Sequence, residues 1–560
     1  MNEPAQNLSE NQRSENPWEP VFQQAVRFQG NGQLAEAASL FTAILEHNPD
    51  HFPSLHRLAA IRRHQERFEE SLALLDRALG CNPGAADVYN SMGNTLNSLG
   101  RAEEAIEQYR RAAALHENFP EAHLNLANSL KALERWQEAE ASYRAAIALR
   151  PGYVEAHTNL GVVLGRLNRP AEALASFSAA LSFDPEVKLG NSNIGTALTA
   201  LNRHEEAVPF FQLARQLDPD APEPVFNESL VHLAMGNFAR GWVDYEARVR
   251  VPELNIDPYN FPQPIWDGRS AIAGKTILLQ AEQGLGDTIL FARFVELIVQ
   301  KGGRVILGVQ KPLAHLLNTI PGIAQVITSG DPVPEFDLRV PIGSLPRALE
   351  ITLDTIPARI PYLQAPAESE TIVGLEEKPD DGPLAGVCWA GNPVNRNDYN
   401  RSIPLAIFDR LFQVPGVRFV SLQQNLRPGE DSILARFDNI DLTSDRKGSG
   451  LADTAALISR LDLVITVDTV IGHLAGALGR PFWILLPYSA YWPWLRDRTD
   501  TPWYPTARLF RQPEPGDWTS VLETVAGALT STSFRPVSTF TSAATGAFDL
   551  RVPRPQMPLD

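Results

Sequence analysis

The chain has 560 residues, 44% hydrophobic and 21% charged, enough for three or four domains with sizeable cores. Its 49 Lys and Arg stand against 66 Asp and Glu, a formal charge of −17, which argues against nucleic acid or an anionic membrane as partner of the whole chain. The two cysteines, Cys81 and Cys388, exclude a disulfide framework and a four-cysteine zinc site, and they suit a reducing compartment.

Residues 1–16 are polar, lack the apolar core of a signal peptide and are expected to be disordered. No run approaches the ~18 apolar residues that a membrane span requires. The expectation is a cytoplasmic protein without a membrane span.

From residue 17 to 250 the chain repeats itself. Prolines fall at Pro49, Pro83, Pro151, Pro185 and Pro219, separated by 34, 68, 34 and 34 residues. Glu117 stands at the remaining mark, and ahead of all six stand a small residue (Ala37, Ser71, Ala105, Ala139, Ala173, Ala207) and then a large apolar one (Phe41, Leu75, Tyr109, Tyr143, Phe177, Phe211). A 34-residue period with these columns is the tetratricopeptide pattern. The small residue lets two antiparallel helices approach, the large one fills the space between hairpins, and the proline ends the second helix. With a seventh unit carrying Gly236, Gly241 and Tyr245, the array is expected to be a superhelical solenoid of about seven repeats.

Asn125, Asn159, Asn193 and Asn227 form a further column at the same period, with Ser91 in the preceding unit. An amide both donates and accepts, so a row of them on the first helix can hold an extended peptide backbone on the concave face. The alternative is that each Asn ties down its own neighbouring turn. The column resembles the asparagine ladder in the repeats of O-linked N-acetylglucosamine transferase, which implies a protein partner.

A Pro-rich stretch, 251–273, reads as a linker. Short apolar runs follow at 276–281, 304–309 and 336–340, then at 384–390, 417–422, 462–467 and 482–486, with helical segments between them. Strands alternating with helices imply parallel α/β sheets. The two series are expected to form two Rossmann-like lobes, 274–368 and 380–533, with ligands beyond the carboxyl ends of the strands. The tail 534–560, rich in Ser, Thr and Pro, is expected to be disordered.

Gly268 and Gly274-Lys275-Thr276 imitate a P-loop, but the spacing is wrong and the strand follows the motif instead of preceding it. The loop 282–287 is the better candidate. Gly284 and Gly286 permit a tight turn and close approach of an acceptor. Asp287 reads either as a helix cap or as a general base for an acceptor hydroxyl, with Glu282 in reserve. After the 462–467 strand, Asp468 and Thr469 open a helix rich in small residues, including Gly472, whose N-terminus suits a diphosphate. His473 on its first turn is either structural or a donor to a phosphate or a sugar hydroxyl. At and beyond the end of the 384–390 strand stand Trp389, Gly391, Asn392 and Arg401, with Arg396 and Arg401 as local cations. The aromatic group Tyr488, Tyr491, Trp492, Trp494, Trp503 and Tyr504 reads as packing between lobes or as a platform for a base. No metal-ligand cluster is evident.

From Trp266 to about Leu529 the sequence resembles the bacterial heptosyltransferase family, glycosyltransferase family 9. The resemblance rests on Gly286-Asp287 and on Asp468-Thr469 followed by His473-Leu474-Ala475. It implies a GT-B fold of two lobes, Asp287 as base, and a nucleotide-sugar diphosphate held at the second segment by Asp468, Thr469, Gly472, His473, Trp389, Gly391, Asn392 and Arg401. The nucleotide sugar is then a co-substrate, with no cofactor. The whole chain looks like bacterial proteins that join tetratricopeptide repeats to such a domain, some of which glycosylate flagellin. Those relatives often carry Asp-Trp-Arg-Trp where this chain has Tyr491-Trp492-Pro493-Trp494. The expected function is sugar transfer from a nucleotide sugar to a protein acceptor bound by the repeats. The competing readings are a scaffold whose GT-B domain is vestigial or senses a ligand, and a sugar epimerase without a protein acceptor.

Overall fold

The computed structural model describes residues 17–187, 189–254, 256, 261–367, 382–395, 397–442 and 450–531. The termini 1–16 and 534–560 and the candidate cation Arg396 lie outside the described residues, as does most of the polar stretch between the two strand series. The chain divides into two compact units, one ending at Val231 and one beginning at His232.

The first unit is a stack of helix pairs: Glu19–Gly30 with Leu34–His47, Phe52–His64 with Phe68–Cys81, Ala86–Ser98 with Ala102–Leu115, Pro120–Ala132 with Trp136–Leu149, Val154–Arg166 with Pro170–Phe183, and Gly190–Ala200 with His204–Leu217. The helices of each pair pack on one another, and the second helix of each of the first five pairs packs on the first helix of the next. The six small residues of the repeat column are buried, as are the six large ones. The closeness is physical: a Cβ on Gly93 would stand 2.5 Å from the Tyr109 ring, and one on Gly161 2.5 Å from Phe177. A second periodic feature lies on the surface. Arg101, Arg135, Arg169 and Arg203 each pair with the Glu three residues on, as Arg67 does with Glu70. Exposed pairs of this kind contribute little singly. Their register repeats every 34 residues, and links such as Arg144–Glu172 join successive pairs of helices.

The boundary between the two units does not coincide with the expected end of the array at Arg250. The boundary falls inside the helix Pro222–Ala234, and the second helix of the seventh repeat, Phe238–Tyr245, belongs to the second unit. Its spacing explains why. Phe238, Trp242 and Tyr245 share one face, all are buried, and they meet Trp503, Phe291 and Trp492.

The second unit holds two parallel sheets. The first contains β1 (Thr276–Gln280), β2 (Arg304–Gly308), β3 (Ile323–Ile327) and β4 (Leu338–Pro341) in the order β3-β2-β1-β4. The second contains β5 (Leu384–Cys388), β6 (Arg418–Ser421), β7 (Ile440–Asp441), β8 (Leu463–Val467), β9 (Phe482–Leu486) and β10 (Ala507–Arg511) in the order β10-β9-β8-β5-β6-β7. Central strands such as β8 and β9 are buried throughout, which is why they read as continuous apolar runs. These are the two Rossmann-like lobes expected of a GT-B fold. In each sheet the strand order reverses once, between β1 and β4 and between β5 and β8, and loops at such reversals open the crevice where ligands bind.

The expected linker is shorter than 251–273. Ile265 bridges Arg339 in parallel, the Trp266 amide donates to the Arg339 carbonyl, and the Trp266 ring is buried. The first lobe therefore begins before residue 274. The P-loop imitation resolves into turns: Gly268 has φ +90° and lies against the Ala348 carbonyl, where a Cβ would stand 1.9 Å away.

Candidate functional site

The first-lobe loop leaves β1 at the strand-order reversal. Glu282 turns inward and is buried. Its Oε1 accepts from the Gly343 amide at 2.7 Å, from Arg248 Nη2 at 2.6 Å and from Arg248 Nε at 3.2 Å. This corrects the expectation of a reserve base: Glu282 is held in a buried ion pair that fastens the loop after β1 to the loop after β4. Gln283 adopts a left-handed conformation, φ +58°, which turns the chain so that Gly284 opens the helix Leu285–Ala292.

Asp287 lies in the first turn of that helix. Its Oδ2 accepts from the Gly284 amide at 3.1 Å, so the capping role is real. Its Oδ1 accepts from the Tyr491 hydroxyl of the other lobe at 3.3 Å. Burial, aided by the charge of Asp468 and opposed by the Gly284 N–H and the Tyr491 hydroxyl, holds the carboxyl up at about 6. A carboxylate poised there is suited to taking a proton near neutral pH.

The second-lobe loop leaves β8. Thr469 caps the helix Val470–Ala477 by accepting from the Ile471 amide at 3.3 Å. Asp468 is buried, and burial raises its carboxyl against the pull of Arg401 and of the Trp494 indole. Arg401 reaches across from beyond β5, and its Nη1 donates to the Asp468 carbonyl at 2.9 Å. Its Nε–H is buried, stands 3.7 Å from Asp398 and makes no hydrogen bond among the described residues. Gly391 makes this approach possible, because a Cβ there would lie 2.6 Å from Asp398 Oδ1 and 2.8 Å from Arg401 Nη2. Asn392 is exposed, and its Oδ1 accepts from the Val394 amide in a local turn.

Three expected donor contacts take other roles. The Trp389 side chain is wholly buried in the second-lobe core against Phe408, and its indole donates to Glu430, so only its backbone stands at the strand end. Gly472 faces the sheet, where a Cβ would lie 3.2 Å from Ile484. His473 is buried, its Nδ1 is bonded to the Tyr504 hydroxyl at 3.0 Å, and its ring stacks on Trp494. Burial, aided by Arg293 and Arg401, pushes it down to about 3, so the ring is neutral. A Cβ on Gly286 would stand 2.7 Å from the His473 ring, so Gly286 closes the helix Leu285–Ala292 onto the helix Val470–Ala477.

The aromatic group serves packing: Trp492, Trp494, Trp503 and Tyr504 are buried. Tyr491 is the exception, since its hydroxyl faces Asp287. Sequence reasoning missed that contact, and it missed Tyr245 and Arg248, which precede the apparent linker. The clue to these two was the Phe238, Trp242, Tyr245 stripe, too apolar for a helix ending an array.

In the repeats, all four column asparagines are half-buried on the first helix of their pairs. Asn125 Nδ2 donates to Asn90 Oδ1 at 2.9 Å, and Asn159 Nδ2 donates to Asn128 Oδ1 at 3.1 Å while accepting from Lys131. Two members of the column therefore also join successive repeats. Ser91, at the same position, bonds His56. Among the described residues, no helix is long and apolar enough to cross a membrane.

Comparison with known proteins agrees with this organisation. Tetratricopeptide repeat models match residues 29–94, 93–133, 124–188 and 158–222. The model of glycosyltransferase family 9 (heptosyltransferase) matches residues 449–486, the segment carrying β8, Asp468 to His473, and β9. The polypeptide joins tetratricopeptide repeats to a family 9 glycosyltransferase-like α/β region. It is similar to Protein FlbA of Caulobacter vibrioides, with 30% identity over 336 residues, 54% of each chain, so the match spans about half the length of that relative. Among solved structures, the repeats are similar to YrrB, described as a TPR protein with an unusual peptide-binding site (24% identity, TM-score 0.32, covering 34% of this chain and 100% of that one). They are also similar to MamA (21%, 0.29, 30% and 92%) and to a repeat protein of Cytophaga hutchinsonii (15%, 0.35, 43% and 96%).

Proposed function

We propose that the second unit transfers a sugar from a nucleotide sugar to a hydroxyl of a protein acceptor, and that the repeats gather this acceptor in the cytoplasm; flagellin is one acceptor to test. The observation that carries this reading is the junction of the two lobes at Asp287: Tyr491 of the second lobe donates to its carboxyl, and the neighbouring Gly286 lies against His473. In the reaction the acceptor oxygen bonds to the anomeric carbon, the bond from that carbon to the diphosphate breaks, and Asp287 takes the acceptor proton. The nucleoside diphosphate leaves toward Arg401 and the start of the helix Val470–Ala477, whose backbone N–H groups suit its charge. His473, neutral and bonded to Tyr504, orients that helix against Gly286. The family 9 match over 449–486 supports this assignment of the donor side. The test is a panel of nucleotide sugars, read by thermal shift and then by transfer to partner proteins recovered from cells. A donor that stabilises the chain and is consumed only with an acceptor present supports the proposal. No binding by any donor argues against transfer, and a donor that binds without being consumed argues for the other reading.

That second reading, a scaffold with a ligand-sensing second unit, draws on one specific feature. The helix Leu285–Ala292 already covers His473, and both oxygens of Asp287 accept hydrogen bonds from the protein. It predicts ligand-dependent partner binding without turnover.

A further inference from the structure

The loop that carries Asp287 is held from outside the two sheets. Arg248, in the 3-10 turn Glu246–Arg250, is fully buried. Besides Glu282, its guanidinium reaches Ser344 Oγ at 2.8 Å, Glu246 Oε1 at 2.9 Å and the Tyr245 carbonyl at 3.2 Å. It also lies over the Tyr245 ring, 4.6 Å from the centroid. Tyr245 ends the helix Phe238–Tyr245, and its hydroxyl donates to Gln283 Oε1 at 2.9 Å. Gln283 is the left-handed residue on which the turn toward Gly284 depends. Its carbonyl accepts from Gln310, which in turn accepts from Thr288 on the far side of Asp287. Gly343 completes the arrangement, for a Cβ there would lie 2.2 Å from Glu282 Oε1. Two consecutive loop residues, Glu282 and Gln283, are thus fixed by two residues of the seventh repeat.

We propose that Tyr245 and Arg248 are positioning residues for the Asp287 loop, so that the seventh repeat works as part of the transferase unit and not as the last partner-binding repeat. The inference rests on the proposed function for its catalytic meaning. Its structural content stands independently: both residues are buried and hold Glu282 and Gln283 through their side chains. A buried Arg forked onto a carboxylate and a hydroxyl fixes orientation in a way that an ammonium group does not. Tyr245→Phe removes one hydroxyl and leaves the ring packing in place. Arg248→Lys keeps the charge and loses the fork.

Both variants are to be compared with the parent as full-length protein. Amide hydrogen exchange across 282–288 is expected to speed up about tenfold in each, the scale of one lost hydrogen bond, while exchange in β8 stays as in the parent. Exchange across 282–288 that matches the parent in both variants overturns the inference, whatever the protein's activity. In the transfer assay, kcat is expected to fall about tenfold with the donor KM unchanged, the signature of a misplaced base with intact donor binding. A loosened loop with parental kcat overturns the link to turnover. If the parent transfers no sugar with any donor it binds, the proposed function fails, and the exchange result alone decides whether the repeat positions the loop.

Discussion

The Tyr491 hydroxyl donates to Asp287 Oδ1 across 3.3 Å, and Oδ2 of the same carboxyl accepts from the Gly284 amide at 3.1 Å. One carboxyl thus caps a helix of the first lobe and receives a side chain of the second, and it does so while held up at about 6 by burial. The folded state therefore holds this proton more tightly than the unfolded chain, whose Asp titrates near 3.8. The stability contributed by this group is fully present below the unfolded value and is lost as pH rises through about 6. Asp287→Asn removes that titration. The variant is expected to exceed the parent in stability at pH 8, by on the order of 1–3 kcal/mol, and to show little gain at pH 4. Urea denaturation at the two pH values measures both; equal gains at both would contradict the assignment of a raised Asp287.

Tyr491 lowers the Asp287 carboxyl by donating to its charged form. Tyr491→Phe is therefore expected to raise Asp287 further. If Asp287 is the base, transfer needs it ionised, so the acid limb of the kcat/KM profile moves to higher pH, by less than about one unit. A limb that stays in place, or moves to lower pH, argues against Asp287 as the group being titrated.

The repeat columns and the central strands were legible in the sequence because their signals are local and periodic. A buried small residue every 34 positions has one physical meaning, and β8 and β9 are apolar throughout because both faces are covered. β3, β7 and β10 escaped notice for the opposite reason. β3 has exposed Ala324 and Gln325, β7 has two residues, and β10 contains Arg508 and Arg511, so none shows a clean apolar run. At the site, Asp287 and Asp468 stood out because each follows a strand end. The roles of Tyr491, Tyr245 and Arg248 were hidden, because their contacts join segments far apart in sequence. Trp389 and His473 drew functional expectations from the same strand-end rule, yet both turn inward, since a large ring beside a strand end fills the core as readily as it lines a crevice.

Small residues at the lobe contact make a separate prediction. A Cβ on Gly476 would lie 2.3 Å from the Tyr504 ring, and one on Gly286 2.7 Å from His473. Neither ring has room to retreat, since both are buried. Gly476→Ala and Gly286→Ala are each expected to cost about 1–3 kcal/mol. Gly527→Ala, in the helix Trp518–Thr530 where nothing lies within 4 Å, serves as the control without a clash and is expected to gain about 0.5–1 kcal/mol from helix propensity. Thermal melts of the three variants decide it, and an unaffected Gly476→Ala would show that the helix Val470–Ala477 does not pack on Tyr504 in solution.

The asparagine column has two consequences because Asn125 and Asn159 bond the preceding repeat. Replacing Asn125, Asn159, Asn193 and Asn227 together by Ala is expected to weaken partner capture. It is also expected to lower stability, by about 0.5–1.5 kcal/mol for each of the three inter-repeat bonds lost, Asn125 to Asn90, Asn159 to Asn128 and Lys131 to Asn159. Pull-down and thermal melting on one preparation separate the two effects. A destabilised variant that captures its partner as well as the parent does would make the column purely structural.

The central claim is that Asp287 takes the acceptor's proton during sugar transfer while the donor is held by the other lobe. Its most direct test measures donor affinity and sugar transfer side by side in the parent and in Asp287→Asn. Donor affinity is expected to be preserved, with transfer reduced by about 10²–10⁴. Full transfer by Asp287→Asn would contradict the claim.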